Sequence, residues 1–373
     1  MINLLTFFDL FSGIGAFRLA LERNGFKYSA SCEIDKYARK VYAKNFGSLP
    51  QYEDVRDIEP SKLDKFDILT AGFPCQSFSN AGKRMGFNDI RGTMFFEIAR
   101  IAQEIRPKIL FLENVKGLLN HDSGRTFSKI IDTIQEMGYD LEWQVINGKY
   151  FVPQNRERIF IIGHLRDSGF RKVFPITESG QGDDGTCKEA QGEGEWFRGT
   201  YRGCLSAESG RNSHKYVRTI DSNYRKGGGS RTMVQDHVRT IDACYHKVGP
   251  HGSLIKPLTE KRTEQAKEER RRIKQETGKD YCKRRDKVIE ERIDGLVGCL
   301  TASESVDRYL KDDTRIRRLT PLECERLMGF PDSWTECEGI SETQRYKMLG
   351  NSIIVNVIDL IANHINLYNG HVL

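Results

Sequence analysis

Leu4-Leu5-Thr6-Phe7-Phe8-Asp9-Leu10-Phe11-Ser12-Gly13-Ile14-Gly15-Ala16-Phe17 is an apolar run that breaks into a glycine turn. Helical spacing follows, with Leu19 and Leu21, until Gly25 stops it. Strand, glycine turn and helix, in that order, is how α/β proteins hold nucleotide-like ligands, because glycine lets the backbone approach the ligand closely. The Gly-x-Gly spacing falls short of a full dinucleotide fingerprint, so the stretch alone fits a plain strand-to-helix turn equally well. A second strand over 28–32 ends in Glu33-Ile34-Asp35, about 20 residues past the glycine turn. A carboxylate at that strand tip accepts hydrogen bonds from both hydroxyls of a ribose. Either acid serves as well to charge the amino terminus of a helix over 36–46. Asp54-Val55-Arg56-Asp57 closes a short third segment and is equally ambiguous.

Further along, an apolar run over 66–69 leads into Ala71-Gly72-Phe73-Pro74-Cys75-Gln76-Ser77-Phe78-Ser79. We expect a buried strand delivering a loop at its carboxyl end, where open α/β sheets place ligands. Pro74 fixes a backbone angle just before Cys75, and Gly72 permits a tight approach. Cys75 is a candidate nucleophile, although a free cysteine is often only a small buried hydrophobe. The polar, glycine-rich stretch 80–92 reads as a mobile lid. A helix over 95–105 and a strand over 108–112 follow, closed by Glu113-Asn114-Val115. If the strands before Cys75 and Glu113 are parallel neighbours, both residues reach the same sheet edge. After a helix over 127–137 and a strand over 139–147, Pro153-Gln154-Asn155-Arg156-Glu157-Arg158 leads into a strand over 159–163. Arg156 and Arg158 are two apart and face one side of an extended chain. Such a pair can hold a carboxylate or phosphate, or simply be solvated.

From His164 to Arg318 the α/β alternation stops and glycine and polar residues rise. Val217-Arg218-Thr219-Ile220-Asp221 recurs as Val238-Arg239-Thr240-Ile241-Asp242. Gly203-Cys204-Leu205-Ser206-Ala207 resembles Gly298-Cys299-Leu300-Thr301-Ala302. These read as related strands of one small β-rich domain. The charge-dense run 259–292 is expected to form one or two exposed helices around Gly278, solvated or against phosphate. Regular patterning returns at Arg317, with a helix over 321–328 carrying Pro321 in its first turn. A turn at Gly329-Phe330-Pro331-Asp332-Ser333-Trp334 and helices over 341–349 and 353–367 complete the chain.

Composition bounds the possibilities. A net charge of +6 permits an anionic partner such as nucleic acid without requiring one. The nine cysteines are odd in number and form no Cys-x-x-Cys pair. Neither a disulfide framework nor a thiolate metal site is indicated, and a reducing compartment is expected. The first nine residues lack the pattern of a signal peptide, and no apolar run approaches membrane-spanning length.

Taken together, these segments resemble the bacterial-type C5-cytosine DNA methyltransferase family. Asp9-Leu10-Phe11-Ser12-Gly13-Ile14-Gly15 is similar to its first motif, with Ala16 where a further glycine is common. Gly72-Phe73-Pro74-Cys75-Gln76 is similar to the nucleophile motif, Glu113-Asn114-Val115 to the acidic motif, and Gln154-Asn155-Arg156-Glu157-Arg158 to the basic one. Arg318-Leu319-Thr320-Pro321, Glu323, Arg326, Gly329-Phe330-Pro331 and Gly350-Asn351-Ser352 are similar to the last two. The order and density of the series make it specific.

The resemblance implies an α/β, Rossmann-like S-adenosylmethionine-dependent methyltransferase domain with a smaller, β-rich inserted target-recognition domain. It divides the chain into a catalytic and cofactor-binding domain (1–163), the target-recognition domain (164–315) and a returning C-terminal segment (316–373). It implies a sequence-specific DNA (cytosine-5-)-methyltransferase in which Cys75 adds to C6 of a flipped cytosine, with Glu113, Asn114, Arg156 and Arg158 completing the catalytic group. The implied cofactor site comprises Phe11, Gly13, Gly15, Phe17 against adenine, Glu33 on the ribose, Ile34, Asp54 at the adenine amine, Val55, Pro74, Asn351 and Ser352. Ile34 stands where an aromatic is frequent. Ser79, Gln76, Arg91 and Thr301 are implied to meet DNA, and Arg211, Arg225, Arg231 and the glycine loop 227–229 are candidates for base reading. S-adenosylmethionine is the implied methyl donor, S-adenosylhomocysteine the product, and no metal is needed. The implied setting is a bacterial cytoplasm, with double-stranded DNA as substrate, a monomeric enzyme and a companion restriction endonuclease. The rivals are the same chemistry on tRNA and a DNA-binding regulator with little catalytic activity. The long insert argues against the first, and the intact Cys75, Glu113, Arg156 and Arg158 against the second.

Overall fold

In the computed structural model the described residues are 4–74, 94–166, 168–169, 173–174, 176, 202–205, 256–277, 287–292, 296–300, 309–311 and 316–368. The first strand β1 (Thr6–Leu10) runs into the glycine turn and helix α1 (Ala16–Arg23). β2 (Lys27–Cys32) and α2 (Lys36–Phe46) follow, then β3 (Ile68–Gly72), α3 (Met94–Ile105), β4 (Ile109–Val115) and α4 (Arg125–Glu136). β5 (Tyr139–Asn147) and β6 (Glu157–Leu165) end this part of the chain. They join one seven-stranded sheet of order β2-β1-β3-β4-β6-β5-β7, whose edge strand β7 (Arg202–Leu205) comes from the inserted stretch. The first four strands of that order pair in parallel, and β6, β5 and β7 pair antiparallel.

The apolar strand runs have a direct physical cause: both faces of the sheet are covered. Successive residues alternate between two cores. Phe7, Ile109, Phe111, Phe160 and Ile162 join the core that holds α1, α2 and the C-terminal helices. Phe8, Leu110, Leu112, Ile159 and Ile161 join the core under α3 and α4. On β5 the alternation turns polar. Buried Glu142 accepts the backbone N–H groups of Val173 (2.6 Å) and Phe174 (2.8 Å), as well as a 2.6 Å contact from His164 Nε2. Gln144 accepts from the N–H of Ile176 at 3.2 Å. The chain entering the insert is thereby held to the sheet.

Three strands of the insert and β11 at the start of the returning segment form a four-stranded antiparallel sheet of order β11-β10-β8-β9. β8 (Lys256–Arg262) and β9 (Lys287–Glu291) pair directly, with α5 (Glu264–Thr277) between them in sequence. The charged run 259–292 is therefore strand, helix and strand instead of helices alone. Its strand ends carry Thr259 and Val288-Ile289, β-branched residues that suit a ladder. β10 (Tyr309–Lys311) and β11 (Ile316–Arg318) lead out of the insert. The repeats at 217–221 and 238–242, and Gly278, lie outside the described residues. The two Gly-Cys-Leu stretches do not form equivalent strands: one is in β7, whereas the other follows the parallel bridge between Gln154 and Val297.

The C-terminal segment forms α6 (Pro321–Leu327), α7 (Glu342–Asn351) and α8 (Val355–Tyr368). Thr320 with Glu323, and Ser341 with Gln344, form reciprocal capping boxes at the first two. Residues 342–366 are long and apolar enough to cross a membrane by length and composition, contrary to the expectation from sequence, but 67% of the qualifying window is buried. The extended backbone of Ser352 also breaks the helix there. The apolar character of α8 reflects its place in the first core.

Asp9 on β1 is fully buried and accepts a 2.7 Å hydrogen bond from Thr70 on β3. Burial pushes its carboxyl from 3.8 up to about 7, against the Thr70 bond and with the nearby Glu33 charge. The folded chain thus holds this proton to a higher pH than the unfolded chain, so Asp9 costs stability as pH rises from about 4 to about 7. Asp9→Asn is expected to gain stability over the parent across that window, by on the order of a few kcal/mol at its upper end. Denaturation of both proteins from pH 4 to pH 8 (roughly the span of the two pKa values) checks this; parallel curves would contradict it.

Candidate active site

Three strands bring the acidic and basic motifs together. β3 and β4 are parallel neighbours with Gly72 beside Glu113, and Val115 at the end of β4 is opposite Arg158 at the start of antiparallel β6. Because β6 runs backwards, its beginning reaches the carboxyl edge of the parallel strands. Arg158 Nε lies 3.1 Å from Glu113 Oε1. The Glu113 carboxylate is 7% exposed, and burial raises its pKa above the usual carboxyl range, partly opposed by the charges of Arg158 and Arg156. Gly72 leaves room at this point. A Cβ there would lie 3.4 Å from Glu113 Oε2 and 3.2 Å from Ile353. Asn114 donates through Nδ2 to the carbonyl of Phe73 at 2.9 Å, fixing the backbone two residues before Cys75.

Arg156 is 2% exposed and has a different task from Arg158. Its Nη1 donates to the Leu300 carbonyl at 2.6 Å, and its Nη2 to the carbonyls of Gly350 (3.0 Å) and Ser352 (2.5 Å). Burial lowers its pKa to about 10, with the neighbouring Arg158 charge acting in the same direction. Val297 clamps the same turn, donating to the Pro153 carbonyl at 3.0 Å and accepting from Asn155 N–H at 2.9 Å. A residue that sequence reasoning passed over enters here. Cys299 Sγ is 3.3 Å from Arg156 Nη1 and 3.8 Å from Arg158 Nη2. Its only signal in the sequence is the repeated Gly-Cys-Leu.

A second group gathers at the ends of β1 and β2. The Glu33 carboxylate accepts from Gly13 N–H at 2.8 Å and from Asp35 N–H at 2.7 Å. Burial raises its pKa, and these two hydrogen bonds oppose the rise. Asp35 has the other role left open by the sequence: it caps α2, accepting from Tyr37 N–H at 2.9 Å, and pairs with Lys347 at 2.9 Å. Gly13 has φ +55°, and no atom stands within 4 Å of where its Cβ would be. The turn therefore presents open space on that side. Phe11 is half-buried with φ 56°, and Ile34 is 61% exposed.

This arrangement is accompanied by an overall match: the model of the C-5 cytosine-specific DNA methylase family covers residues 5–367. The chain belongs to this family. It is 35% identical to the Type II methyltransferase M.HpaII of Haemophilus parainfluenzae over 98% of the chain and 91% of that protein. It is 33% identical to M.HhaI of Haemophilus parahaemolyticus over 97% of the chain and 94% of that protein. The crystal structure of the S. pombe Dnmt2 methyltransferase shares the fold, with a TM-score of 0.54 and 16% identity over 98% of this chain and 99% of that one. The fold is that of a Rossmann-like C5 methyltransferase.

Of the residues expected from resemblance to the DNA methylase family, Glu113, Asn114, Arg156 and Arg158 converge. Phe17 is 3% exposed and packs edge-on against Phe111 at 5.0 Å, because the first turn of α1 directs it toward the core. Phe11, before the turn, is the aromatic at the sheet edge. Val55 is buried in a 3-10 turn that Asp54 caps through Arg56 N–H at 3.0 Å. The same Asp54 carboxylate is engaged by the Arg56 guanidinium (Nε to Oδ1 2.9 Å), a partner the sequence did not reveal. Pro74 is exposed at the end of β3, Asn351 is exposed, and Ser352 contributes its carbonyl to Arg156. Cys75, Gln76, Ser79, Arg91, Thr301, the expected lid 80–92, Arg211, Arg225, Arg231 and 227–229 lie outside the described residues.

An ammonium group cannot span the three carbonyls that the Arg156 fork reaches. Arg156→Lys is expected to lower stability by about 3 kcal/mol, given the worth of hydrogen bonds to a charged group. Urea denaturation measures this, and a loss below about 0.5 kcal/mol would mean that the carbonyls are held by other groups.

Proposed function

We propose that the chain methylates cytosine at C5 in a specific double-stranded DNA sequence, with Cys75 as nucleophile. The observation that carries this reading is the buried Glu113–Arg158 pair at the edge where the Cys75 loop leaves β3. C5 of cytosine is a poor nucleophile. A thiolate of Cys75 bonding to C6 pushes the ring electron pair toward C5 and N3. Glu113, whose hold on a proton burial strengthens, is placed to hydrogen-bond N3 and the exocyclic amine and so to stabilise the charge that develops on the ring. Arg158 steadies Glu113 and offers donors to the base O2. Arg156 and Asn114 hold the backbone on which these groups stand. S-adenosylmethionine, when bound, supplies the methyl group that C5 takes up. Loss of the C5 proton to solvent then returns electrons to the ring, breaks the C6–S bond and regenerates the Cys75 thiolate. The base must leave the duplex to meet these groups, so base flipping is part of the reading.

The turn that would hold S-adenosylmethionine fits an adenosyl ligand. Gly13 opens onto empty space, Glu33 stands beside it with acceptor oxygens for ribose hydroxyls, and Phe11 and Ile34 offer apolar surface for adenine. Asp54 would take the adenine amine, sharing its carboxylate with Arg56. Gly15, Val55, Pro74, Asn351 and Ser352 would line the remainder. The division at 163/164 and 315/316 assigns DNA reading to the insert; Gln76, Ser79 and Arg91 of the catalytic domain and Thr301 of the insert would add contacts to DNA around the active site. The relatives named above are Type II methyltransferases, which supports host protection beside a restriction endonuclease of the same specificity. A monomer acting in a bacterial cytoplasm completes the proposal. Nothing in the comparisons favours the tRNA or regulator alternatives.

Bisulfite sequencing of plasmid DNA from cells expressing the chain is expected to show protected cytosines at one recurring short motif. Cys75→Ser should remove that protection while leaving DNA binding intact. Unprotected DNA with folded parent protein would sink the reading. Glu113→Gln keeps the shape but not the ionisable proton, and should slow methyl transfer by about 10²–10³. A near-parental rate in a tritiated-methyl assay would remove Glu113 from its role.

A further inference from the structure

We infer that Trp334, in the C-terminal segment, is a positioning residue for the cofactor-binding glycine turn. This rests on the cofactor reading above. The indole Nε1 donates to the carbonyl of Ile14 at 2.9 Å, across 320 residues of sequence and in a buried setting. Ile14 lies between Gly13 and Gly15, at the centre of the turn. The Trp334 ring stacks on Phe330 (5.4 Å, 26°) and meets Phe46 of α2 edge-on (5.5 Å, 78°). Phe46 in turn fills the place behind Gly15: a Cβ there would lie 2.3 Å from its ring, with Tyr42 at 3.3 Å. The loop that carries Trp334 is itself tied to α2. Asn45 donates to the Trp334 carbonyl at 3.0 Å, and Lys44 to the Ser333 carbonyl at 2.6 Å.

The turn is consequently pinned from behind and open in front. Glu33 fixes Gly13 through its N–H, Trp334 fixes Ile14 through its carbonyl, and the aromatic wall fixes Gly15. Three consecutive peptide units are set before any ligand arrives. Ligand affinity gains when the receptor need not be ordered on binding. Removing the indole N–H frees the middle unit and leaves its carbonyl without that donor. The cost should therefore appear in cofactor affinity as well as in folding.

Trp334→Phe keeps an aromatic ring but loses the donor. Phe330→Leu loosens the same stack and leaves the hydrogen bond in place. Titration of S-adenosylhomocysteine into the full chain by calorimetry is expected to show about five- to tenfold weaker binding for Trp334→Phe, the worth of one hydrogen bond. Phe330→Leu should bind like the parent even where its melting temperature falls as far. The Michaelis constant for DNA should stay near the parental value in both. Parental affinity in Trp334→Phe, or losses in both variants that track melting temperature, would overturn the inference. A parent that does not bind S-adenosylhomocysteine would instead overturn the cofactor reading beneath it. Should Trp334→Phe fail to fold, Trp143→Phe combined with Trp196→Phe leaves Trp334 as the only tryptophan. Its emission is expected to shift on addition of S-adenosylhomocysteine, and unchanged emission at saturation would refute the link.

Discussion

The buried guanidinium of Arg156 is the interaction on which the active site depends. A charged group taken out of water is costly unless hydrogen bonds offset the loss of water. Here the acceptors for the two terminal nitrogens are carbonyls from two distant parts of the chain, Leu300 from the insert and Gly350 and Ser352 from the C-terminal segment, while Nε is buried without a partner among the described residues. The desolvation of one side chain therefore forces three chain segments to meet. Arg158, two residues on, is left free of that duty and turns to Glu113. The pair of arginines divides into one that ties the surrounding segments together and one that pairs with Glu113.

The cofactor edge follows the same economy of polar groups. Glu33 uses its carboxylate to organise backbone N–H groups of the glycine turn and of its own strand tip. Asp35, two residues later, caps a helix and reaches Lys347 of α7. In this way the C-terminal helices touch the proposed cofactor edge and the arginine anchor alike. The second core binds α3 and α4 to the opposite face of the sheet.

The doubly covered α/β sheet was legible because its strands are short apolar runs and its helices have clear amphipathic spacing. α2 and β5 coincide with their sequence ranges, whereas Glu113 and Arg158 were grouped only through the family resemblance. What was not legible had particular causes. Phe17 and Phe11 are both aromatic residues flanking the glycine turn, and only the direction of the first helical turn decides which is buried. The two acids after β2 are interchangeable on paper, since a cap and a ligand oxygen ask for the same residue type. Run 259–292 is so rich in charge that its strand ends were hidden by the helix between them. Cys299 and Trp334 act across 143 and 320 residues of separation, and no local pattern can announce such pairings.

β7 has a bearing on how such enzymes diversify. The strand belongs to the insert by sequence, yet it completes the main sheet by pairing with β5 from Leu141 to Gln144. Exchanging the insert between relatives as a self-contained cassette would strip this strand away. The partner edge would then expose unpaired backbone groups, which invites pairing between molecules. Exchange of interior stretches that retains the border strand would keep the main sheet intact, and recombination breakpoints are best tolerated inside that boundary.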